Sequence, residues 1–471
     1  MRSSFYILEV AKSALQANQI ALDVTGQNVA NVNTENYTRQ TADMTSMNYY
    51  SGISKFALPP VSNLGQGVGI GKIFQIRDEF LDARFRRTNA EYNTSNTSLS
   101  VLKEVENIFD ETTNDGLHAM LNDFYNQLQG LTNNPDNTEF SNITRSSAEK
   151  ITQVLNNYAS RLSEIKDMKM SDLEIGAQEI NVTIDNINQI NILIKDQTLR
   201  GSASNELLDM RNAYIDTLSG YMNITAKPEM DGSVSILSED VSLLDSTFSI
   251  SVDGGGLISL TRTYEDVSGV STSETFNPSE GIMNGYIQTL NGAGAYDVTG
   301  KNSGRGLVYY EKALNSFAEA FASTYNGINV AAGGLALFSG TAAADIEISA
   351  SWLSNPDSII SANNNVIKMI NAMDDENVIS PYYTGTFEGF SRSLMSDIAV
   401  DTGYYDDMSK MREYILNSVK SEREAIMGVS TDEETINMTK YQKAYQAAAR
   451  LMTVIDENLE TLINKTGIVG R

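Results

Sequence analysis

Apolar side chains recur at alternating spacings of three and four at both ends of this chain. Toward the carboxyl end Met438, Tyr441, Tyr445, Ala448, Met452, Ile455, Leu459 and Leu462 form such a seam, an a/d pattern kept for more than three heptads. Ser430 stands three residues before Glu433, the spacing of a capping box, and Asp432 to Glu434 complement the positive end of a helix dipole. Gly467 lies beyond the last periodic residue, where a helix is expected to stop. The amino-terminal stretch repeats the spacing with Leu8, Ala11, Leu15, Asn18, Leu22, Thr25, Val29 and Val32. Asn18 and Thr25 interrupt the apolar seam, and a polar residue at such a position trades stability for register and partner number. A helix of roughly 35 residues spans ~50 Å, too long to wrap around a small core, so each terminal helix requires a partner.

Between these ends the pattern changes several times. After a first helix over residues 4 to 32, the polar run Asn31 to Asn36 favours a turn, and residues 37 to 76 read as extended, with Pro59-Pro60 ruling out a helix. The glycines from Leu64 to Gly71 invite comparison with a phosphate loop, but apolar residues alternate with them and no Lys-Ser/Thr follows, so a Gly-rich strand is expected. Helical periodicity occupies Arg77 to Phe109, Gly116 to Leu131, Asn137 to about Gly201, and Asn205 to Tyr221. Asp231-Gly232 and Asp253-Gly254 then mark hairpins between short alternating runs, which predicts a small β domain over 222–290. Helix returns from Leu307 to Asn329 with Leu314, Phe317, Phe321 and Tyr325 on one face. A second irregular or β insertion over 330–362 holds Trp352, the single tryptophan, and helices follow to the end, broken at Ser380-Pro381 and restarted near Thr386.

The expected fold is therefore mainly α: an elongated helical bundle or coiled-coil rod built from paired terminal segments, with small β insertions. Residues 1–60 with 425–471 form the terminal heptad helices, 61–221 with 291–424 the helical rod, 222–290 the β domain and 330–362 the smaller insertion. Because the ends share one pattern, the outermost segments pair and the middle of the chain lies furthest out.

Composition narrows the chemistry. A formal net charge of −26 disfavours nucleic acid and anionic membranes as partners. The densest basic cluster, Arg84, Arg86 and Arg87, reads as a solvated helix face. No cysteine is present, which excludes disulfides, thiolate metal sites and cysteine nucleophiles, and His118 is the single histidine and reads as a helix-surface residue. Carboxylates abound, as in Asp374-Asp375-Glu376 and Asp406-Asp407, but these read as solvated loops, and the run at Asp432 is explained by capping. No catalytic, metal or cofactor residues are assigned. The amino terminus lacks an apolar signal core, and no run approaches the ~20 residues that span a bilayer, so neither a Sec signal nor membrane insertion is expected.

Two longer motifs are more specific. Ser13-Ala14-Leu15-x-Ala17-x-Gln19-x-Ala21-Leu22 followed by Asn28-Val29-Ala30-Asn31-x-Asn33-Thr34-x-Asn36-Tyr37-Thr38-Arg39-Gln40 resembles the amino-terminal signature of the bacterial flagellar axial proteins. Tyr37 to Gln40, Gly428-Val429-Ser430-x-Asp432-Glu433-Glu434 and Lys440 to Arg450 are similar to the hook-associated protein 1 branch of that family more than to hook or rod proteins. Asn205-Glu206-Leu207-Leu208-Asp209-x-Arg211 and Leu64-Gly65-x-Gly67-Val68 resemble that branch's interior. Asn36 stands where the family has glycine, and Thr431 where it has leucine.

The resemblance covers nearly the whole chain and implies a non-enzymatic structural protein at the junction of hook and filament. It also implies export by the flagellar type III route with a cytoplasmic chaperone on the carboxyl-terminal helix, and self-association in a tube beside hook protein and a second junction protein. Terminal helices poorly ordered in the monomer would then fold on assembly. A hook or distal-rod protein is the competing structural reading. A secreted carboxylate hydrolase, which requires a cleft with two converging acids, and a coiled-coil adhesin are more distant.

Overall fold

The computed structural model describes residues 5–47, 67–109, 116–135, 137–201, 204–266, 268–361 and 364–465. Helix α1 (Phe5–Ala30) leads into a hairpin of β1 (Gln40–Ser46) and β2 (Val68–Gln75). Helices α2 (Glu79–Phe109), α3 (Leu117–Asn133), α4 (Thr138–Leu199) and α5 (Asn205–Tyr221) follow. Six strands come next: β3 (Thr225–Pro228), β4 (Val234–Ser238), β5 (Val241–Ser242), β6 (Ser246–Val252), β7 (Ile258–Glu265) and β8 (Ser271–Phe276). Helices α6 (Ile282–Asn291) and α7 (Leu307–Ala331) return the chain to the bundle. The second insertion holds β9 (Phe338–Ser339), β10 (Glu347–Ile348) and α8 (Ala350–Ser354). Helix α9 (Asn365–Asp374), the hairpin β11 (Asn377–Ser380) and β12 (Tyr383–Gly385), and two long helices, α10 (Phe387–Met427) and α11 (Thr431–Glu460), complete the chain.

The rod is a bundle whose long members are fixed by capping at their starts. Asn137 accepts from Glu139 N at the head of α4, and Thr386 accepts from Gly389 N at the head of α10. At 62 residues α4 is about 90 Å long. It is joined antiparallel by α3, where Lys150 pairs with Asp123 at 3.3 Å. Helices α2 and α10 also run antiparallel, as the pairs Arg84–Glu422 and Lys103–Asp406 show by their opposed numbering. The predicted stripe on α7 becomes an aromatic ladder. Phe317 and Phe321 stack with centroids 6.0 Å apart, Phe317 meets Phe387 at 5.6 Å, and Tyr325 meets Phe124 edge-on at 5.3 Å. Burial of these rings contributes apolar stabilisation at this end of the rod.

The two principal sheets are antiparallel and three-stranded, β3-β4-β5 and β6-β7-β8. Gly232 has φ +87°, which the turn at Asp231-Gly232 needs, and Asp231 accepts from Ser233 N. Side-chain amides fasten the sheets to the bundle. Asn181 of α4 donates to Phe248 O and accepts from Phe248 N, both at 2.8 Å, and Asn191 treats Val234 in the same way at 2.9 and 3.1 Å. Asn291 of α6 brackets Ile258, and Asn326 of α7 brackets Phe338. A primary amide carries one acceptor and a donor in the relation that a neighbouring strand would present, so each clamp leaves no backbone group of that residue orphaned.

Several sequence readings change here. The sheet ends at Phe276, and 282–290, assigned to the β domain, belongs to helix α6, which packs on α2. Asp406-Asp407 lies within α10 rather than in a loop, with Asp406 bridging Lys103 and Lys410. Arg86 is no solvated face residue: it is buried against Asp216, while Arg84 and Arg87 are exposed. Pro59-Pro60, Leu64-Gly65 and Gly467 lie outside the described residues; the strand expected near them is β2. Among the described residues no helix is long and apolar enough to cross a membrane. Replacing Phe317, fully buried, by alanine is expected to cost about 3–5 kcal/mol in urea unfolding; a loss below ~1 kcal/mol would contradict the ladder's role.

Candidate functional site

The motifs from three distant parts of the sequence converge on one joint. Helix α11 lies antiparallel beside α1, so the last turns of α1 meet the first turns of α11. The break at Gly428 to Ser430 between α10 and α11 sits at the same level, and Ser430 caps α11 by accepting from Glu433 N at 3.4 Å. Across this meeting point passes the extended stretch Tyr37 to Gln40, one residue of which engages each neighbour.

Tyr37 donates its hydroxyl to Asn28 Oδ1 at 2.9 Å, and burial, followed by the charges of Asp209, Glu206 and Glu434, pushes that phenol up to about 12. Thr38 is fully buried and gives Asp209 of α5 two bonds, Oγ1 to Oδ1 at 2.5 Å and N to Oδ2 at 3.2 Å. Arg39 donates from Nε to Glu434 at 2.8 Å and from Nη1 to Glu433 at 2.7 Å, while its backbone N–H donates to Met427 O. Gln40 is bracketed by Asn28, which accepts from Gln40 N at 3.0 Å and donates to Gln40 O at 2.9 Å, and its side-chain Oε1 accepts from Asn205 Nδ2 at 2.9 Å. Asn28 donates also to Glu434 at 3.1 Å. Glu434 is 2 % exposed, and Arg39 and Asn28 supply the donors that a buried carboxylate requires. Capping alone therefore does not account for the acidic run at Asp432: two of its three carboxylates are the acceptors for Arg39.

A second layer ties the joint to the rod. Arg77 donates to both oxygens of Asp82 at 2.9 and 3.0 Å and reaches Thr38 Oγ1 at 3.3 Å. Arg423 of α10 bridges Asp82 of α2 and Asp216 of α5 at 2.7 and 2.6 Å, and Arg86 closes on Asp216 at 2.7 Å. Burial alone would raise the Asp82 carboxyl, but the hydrogen bond from Arg77 and the charges of Arg77, Arg423 and Arg86 outweigh it and hold it below the usual carboxylate range. Asp209 goes the other way: burial raises it, against the bonds from Thr38 and the charge of Arg77. Asn36 has φ +62°, the left-handed region that glycine enters most easily and asparagine tolerates, which is why either residue suits the turn into Tyr37.

Of the amino-terminal seam residues, Ala11 and Thr25 are buried; Leu8, Leu15, Asn18, Leu22 and Val29 are half-buried, and Val32 is exposed. The side of α1 turned to the interior also carries Ala17, Ala21, Val24 and Asn28, none of which belongs to the predicted seam. On α11, Ala448 and Ile455 are buried, Tyr441, Met452 and Leu459 half-buried, and Met438, Tyr445 and Leu462 exposed. Small residues thus line the contact between the two helices, and the larger apolar side chains stand at its flanks. The periodicity located both helices; it missed Asn28, Thr38, Asp209 and Glu434 as the groups that join them. The signal for those four lay in the motifs. His118 pairs with Glu388 at 3.4 Å on the surface of α3, and among the described residues no group of three or more histidines and carboxylates could hold a metal ion.

Fold and joint together define a rod-shaped structural subunit whose two chain ends are locked to each other and to the same point of the rod. The model of the flagellar hook-associated protein FlgK helical domain matches residues 102–365, and the chain belongs to that family, one of structural flagellar proteins. Residues 8–38 match the flagella basal body rod protein family, and residues 424–465 the carboxyl-terminal region of the flagellar basal body rod FlgEFG proteins. Flagellar hook-associated protein 1 of Bacillus subtilis is 27% identical over 515 aligned residues that cover the whole of both chains. The protein of the same description from Escherichia coli is 23% identical over 235 residues, 49% of this chain and 41% of the relative. The flagellar hook junction protein FlgK from Burkholderia pseudomallei superposes with a TM-score of 0.44 at 19% identity, over 55% of this chain and 46% of that one.

Two outcomes follow from the joint. Arg39→Ala, which leaves Glu434 buried without its cation, is expected to speed proteolysis of α1 and α11 by an order of magnitude or more while the rod stays intact, an effect of ~2–3 kcal/mol; unchanged cleavage would count against the clamp. Because the folded-state carboxyl of Asp82 lies below its unfolded value, its contribution is present above about pH 4 and disappears as pH falls through the folded value. Asp82→Asn should flatten the acid limb of a stability-versus-pH curve; an unaltered limb would remove Asp82 from that role.

Proposed function

We propose that this protein is a subunit of the junction between flagellar hook and filament, exported by the flagellar type III route and assembled through its terminal helices. The observation that carries this reading is the joint itself. It holds α1 and α11 at one end of the rod while Ile436 and Val454 of α11, Leu462 and Ile463 just beyond it, and Ile7 and Ile20 of α1 remain exposed. Such apolar faces call for neighbours, and a heterologous contact repeated without closing on a dimer gives a tube. Full-length similarity to a hook-associated protein 1, and rod-type families at both termini, support placement in the flagellar axis.

In this reading the seams from Leu8 to Val32 and from Met438 to Leu462 serve assembly, Ala11, Thr25, Ala448 and Ile455 by joining α1 to α11 and the half-buried and exposed members by meeting neighbours. Partners are further copies of the chain, hook protein on one side and a second junction protein on the other, with an export chaperone covering the carboxyl-terminal seam before assembly. The terminal segments 1–60 and 425–471 serve assembly, the rod positions them, and the sheets project from it. The apolar stripes rather than any reactive group do the work, and no cofactor enters.

Deleting the gene is expected to leave hooks in place while unpolymerised flagellin spills into the medium; filaments of normal length would contradict the junction role, and loss of hooks would favour a hook or rod protein. Leu15→Asp or Ile455→Asp should leave the rod folded and cut incorporation into flagella by at least tenfold. Normal filaments from either variant would sink the seam.

A further inference from the structure

Where α7 and α10 begin, the hairpin β11–β12 packs on both, and together they enclose a pocket of about 80 Å³. Its walls are Tyr296, Tyr309, Tyr382, Tyr383 and Phe390, with Asp397 as the one charged group. Tyr296 meets Tyr382 at 87° with centroids 5.4 Å apart and Tyr309 at 55° and 5.7 Å, so the rings stand as sides of a slot rather than as a filled stack. Tyr382 is 57 % exposed and the other three tyrosines are half-buried, which opens the slot to solvent. The carboxylate does not call for a cation, because it is held by Arg305 at 2.6 Å and by the hydroxyl of Tyr309 at 2.9 Å. The hydroxyls of Tyr296 and Tyr382 have no acceptor among the described residues. What suits the slot is therefore a small apolar ring with hydrogen-bond acceptors beside it.

We propose that this slot receives the Pro59-Pro60 segment of a second copy of the chain, with one pyrrolidine ring seated between the tyrosines. Proline meets both requirements: its ring packs on aromatic faces, and its missing N–H leaves neighbouring carbonyls to accept from tyrosine hydroxyls. Pro59-Pro60 is the sole adjacent pair among the seven prolines, and adjacent prolines favour the polyproline II form, so little entropy is lost on docking. Reach selects the copy. The segment runs from Met47 to Gly67, which are bonded to each other at 3.0 Å, and the next residue, Val68, donates to Ser13 of α1 at 3.3 Å. Ser13 is about 22 Å from the joint along α1, and Asp397 about 45 Å from it along α10. Helix α1 packs on α11 and on the β1–β2 hairpin and not along α10, so the arms leave the rod. Gly67 then stands about 50 Å from the slot with arm and rod at right angles, and further when they are in line. Pro60 can lie no more than about 25 Å from Gly67. A chain cannot fill its own slot, whereas a neighbour shifted along the rod can. The inference rests on the junction reading and adds to it a contact between the arm side of one copy and the rod of the next, separate from the apolar seams.

Two measurements separate the slot from its occupant. A fluorescein-labelled peptide of residues 54–62, titrated with the full-length monomer and followed by anisotropy, should bind saturably with a Kd below about 1 mM. Tyr382→Ala in the protein, or alanine in place of both prolines in the peptide, should weaken binding tenfold or more. Absence of saturable binding, or binding indifferent to the prolines, would overturn the proposal; should Tyr382→Ala fail to fold, the alanine peptide decides. For the copy, the chain has no cysteine, so Ser393→Cys on the slot wall carries a benzophenone maleimide at a unique position. Equal amounts of this chain and of an unmodified, heavy-isotope chain are added to isolated hooks and illuminated. Cross-links should join the modified chain to residues 54–62 of the heavy chain, and fall tenfold or more when the heavy chain carries Pro59→Ala and Pro60→Ala. Links confined to the modified chain, or made to hook protein, in assemblies that form normally would overturn the second copy as occupant. Chains that bind the peptide yet never join hooks would instead overturn the junction reading, and the second-copy assignment with it.

Discussion

The ion pair between Arg39 and Glu434 joins residues 395 positions apart, and the placing of both terminal helices on the rod depends on it. Two heptad helices laid side by side can slide by a repeat at little cost, because every register buries similar side chains. A buried carboxylate removes that freedom. Glu434 can be accommodated only where Arg39 and Asn28 meet it, which fixes α11 against the end of α1 to within one turn. Thr38 and Gln40 then fix the same stretch to Asp209 and Asn205 of α5, so the arms and the rod share one reference point.

The joint repeats a device used elsewhere in the molecule. Asn28 brackets both backbone groups of Gln40 as Asn181, Asn191, Asn291 and Asn326 bracket those of Phe248, Val234, Ile258 and Phe338. In each case a helix meets an extended segment side-on, where no backbone ladder can form between them. A side-chain amide supplies the missing donor and acceptor and sets the distance between the elements. At the joint charge is added to the amides, where arginines and carboxylates from α2, α5, α10 and α11 lie close enough to lose much of their solvation. Such pairs add less to stability than to the choice of one arrangement over its neighbours.

The helices were legible in the sequence, because long apolar stripes with caps such as Ser430, Asn137 and Thr386 leave little ambiguity about where they start. The hairpin turns at Asp231-Gly232 were legible for the same local reason. What periodicity could not supply is which side of α1 turns inward. Ala11 and Thr25 of the predicted stripe line the contact, but so do Ala17 and Ala21, which lie outside it, while Leu15 and Leu22 of the stripe are only half-buried. Small residues permit close approach, and close approach is decided by the partner. Residues 282–291 follow the strands without a break in composition, so only their packing on α2 sets them apart. Asp209, Arg86 and Arg423 are ordinary helix residues until the fold brings them together; their pairing is a tertiary fact.

Unlike charges at one point and unfilled apolar faces beyond it lead to a definite distribution of stability along the arms. Hydrogen exchange on the purified full-length monomer measures it most directly. The amides of Arg39 and Gln40 should be protected nearly as well as α2, with protection in α1 and α11 falling steadily away from the joint. Uniform, rod-like protection along both terminal helices would show arms already complete without neighbours, and exchange at Arg39 and Gln40 as fast as in an open chain would show that no joint exists.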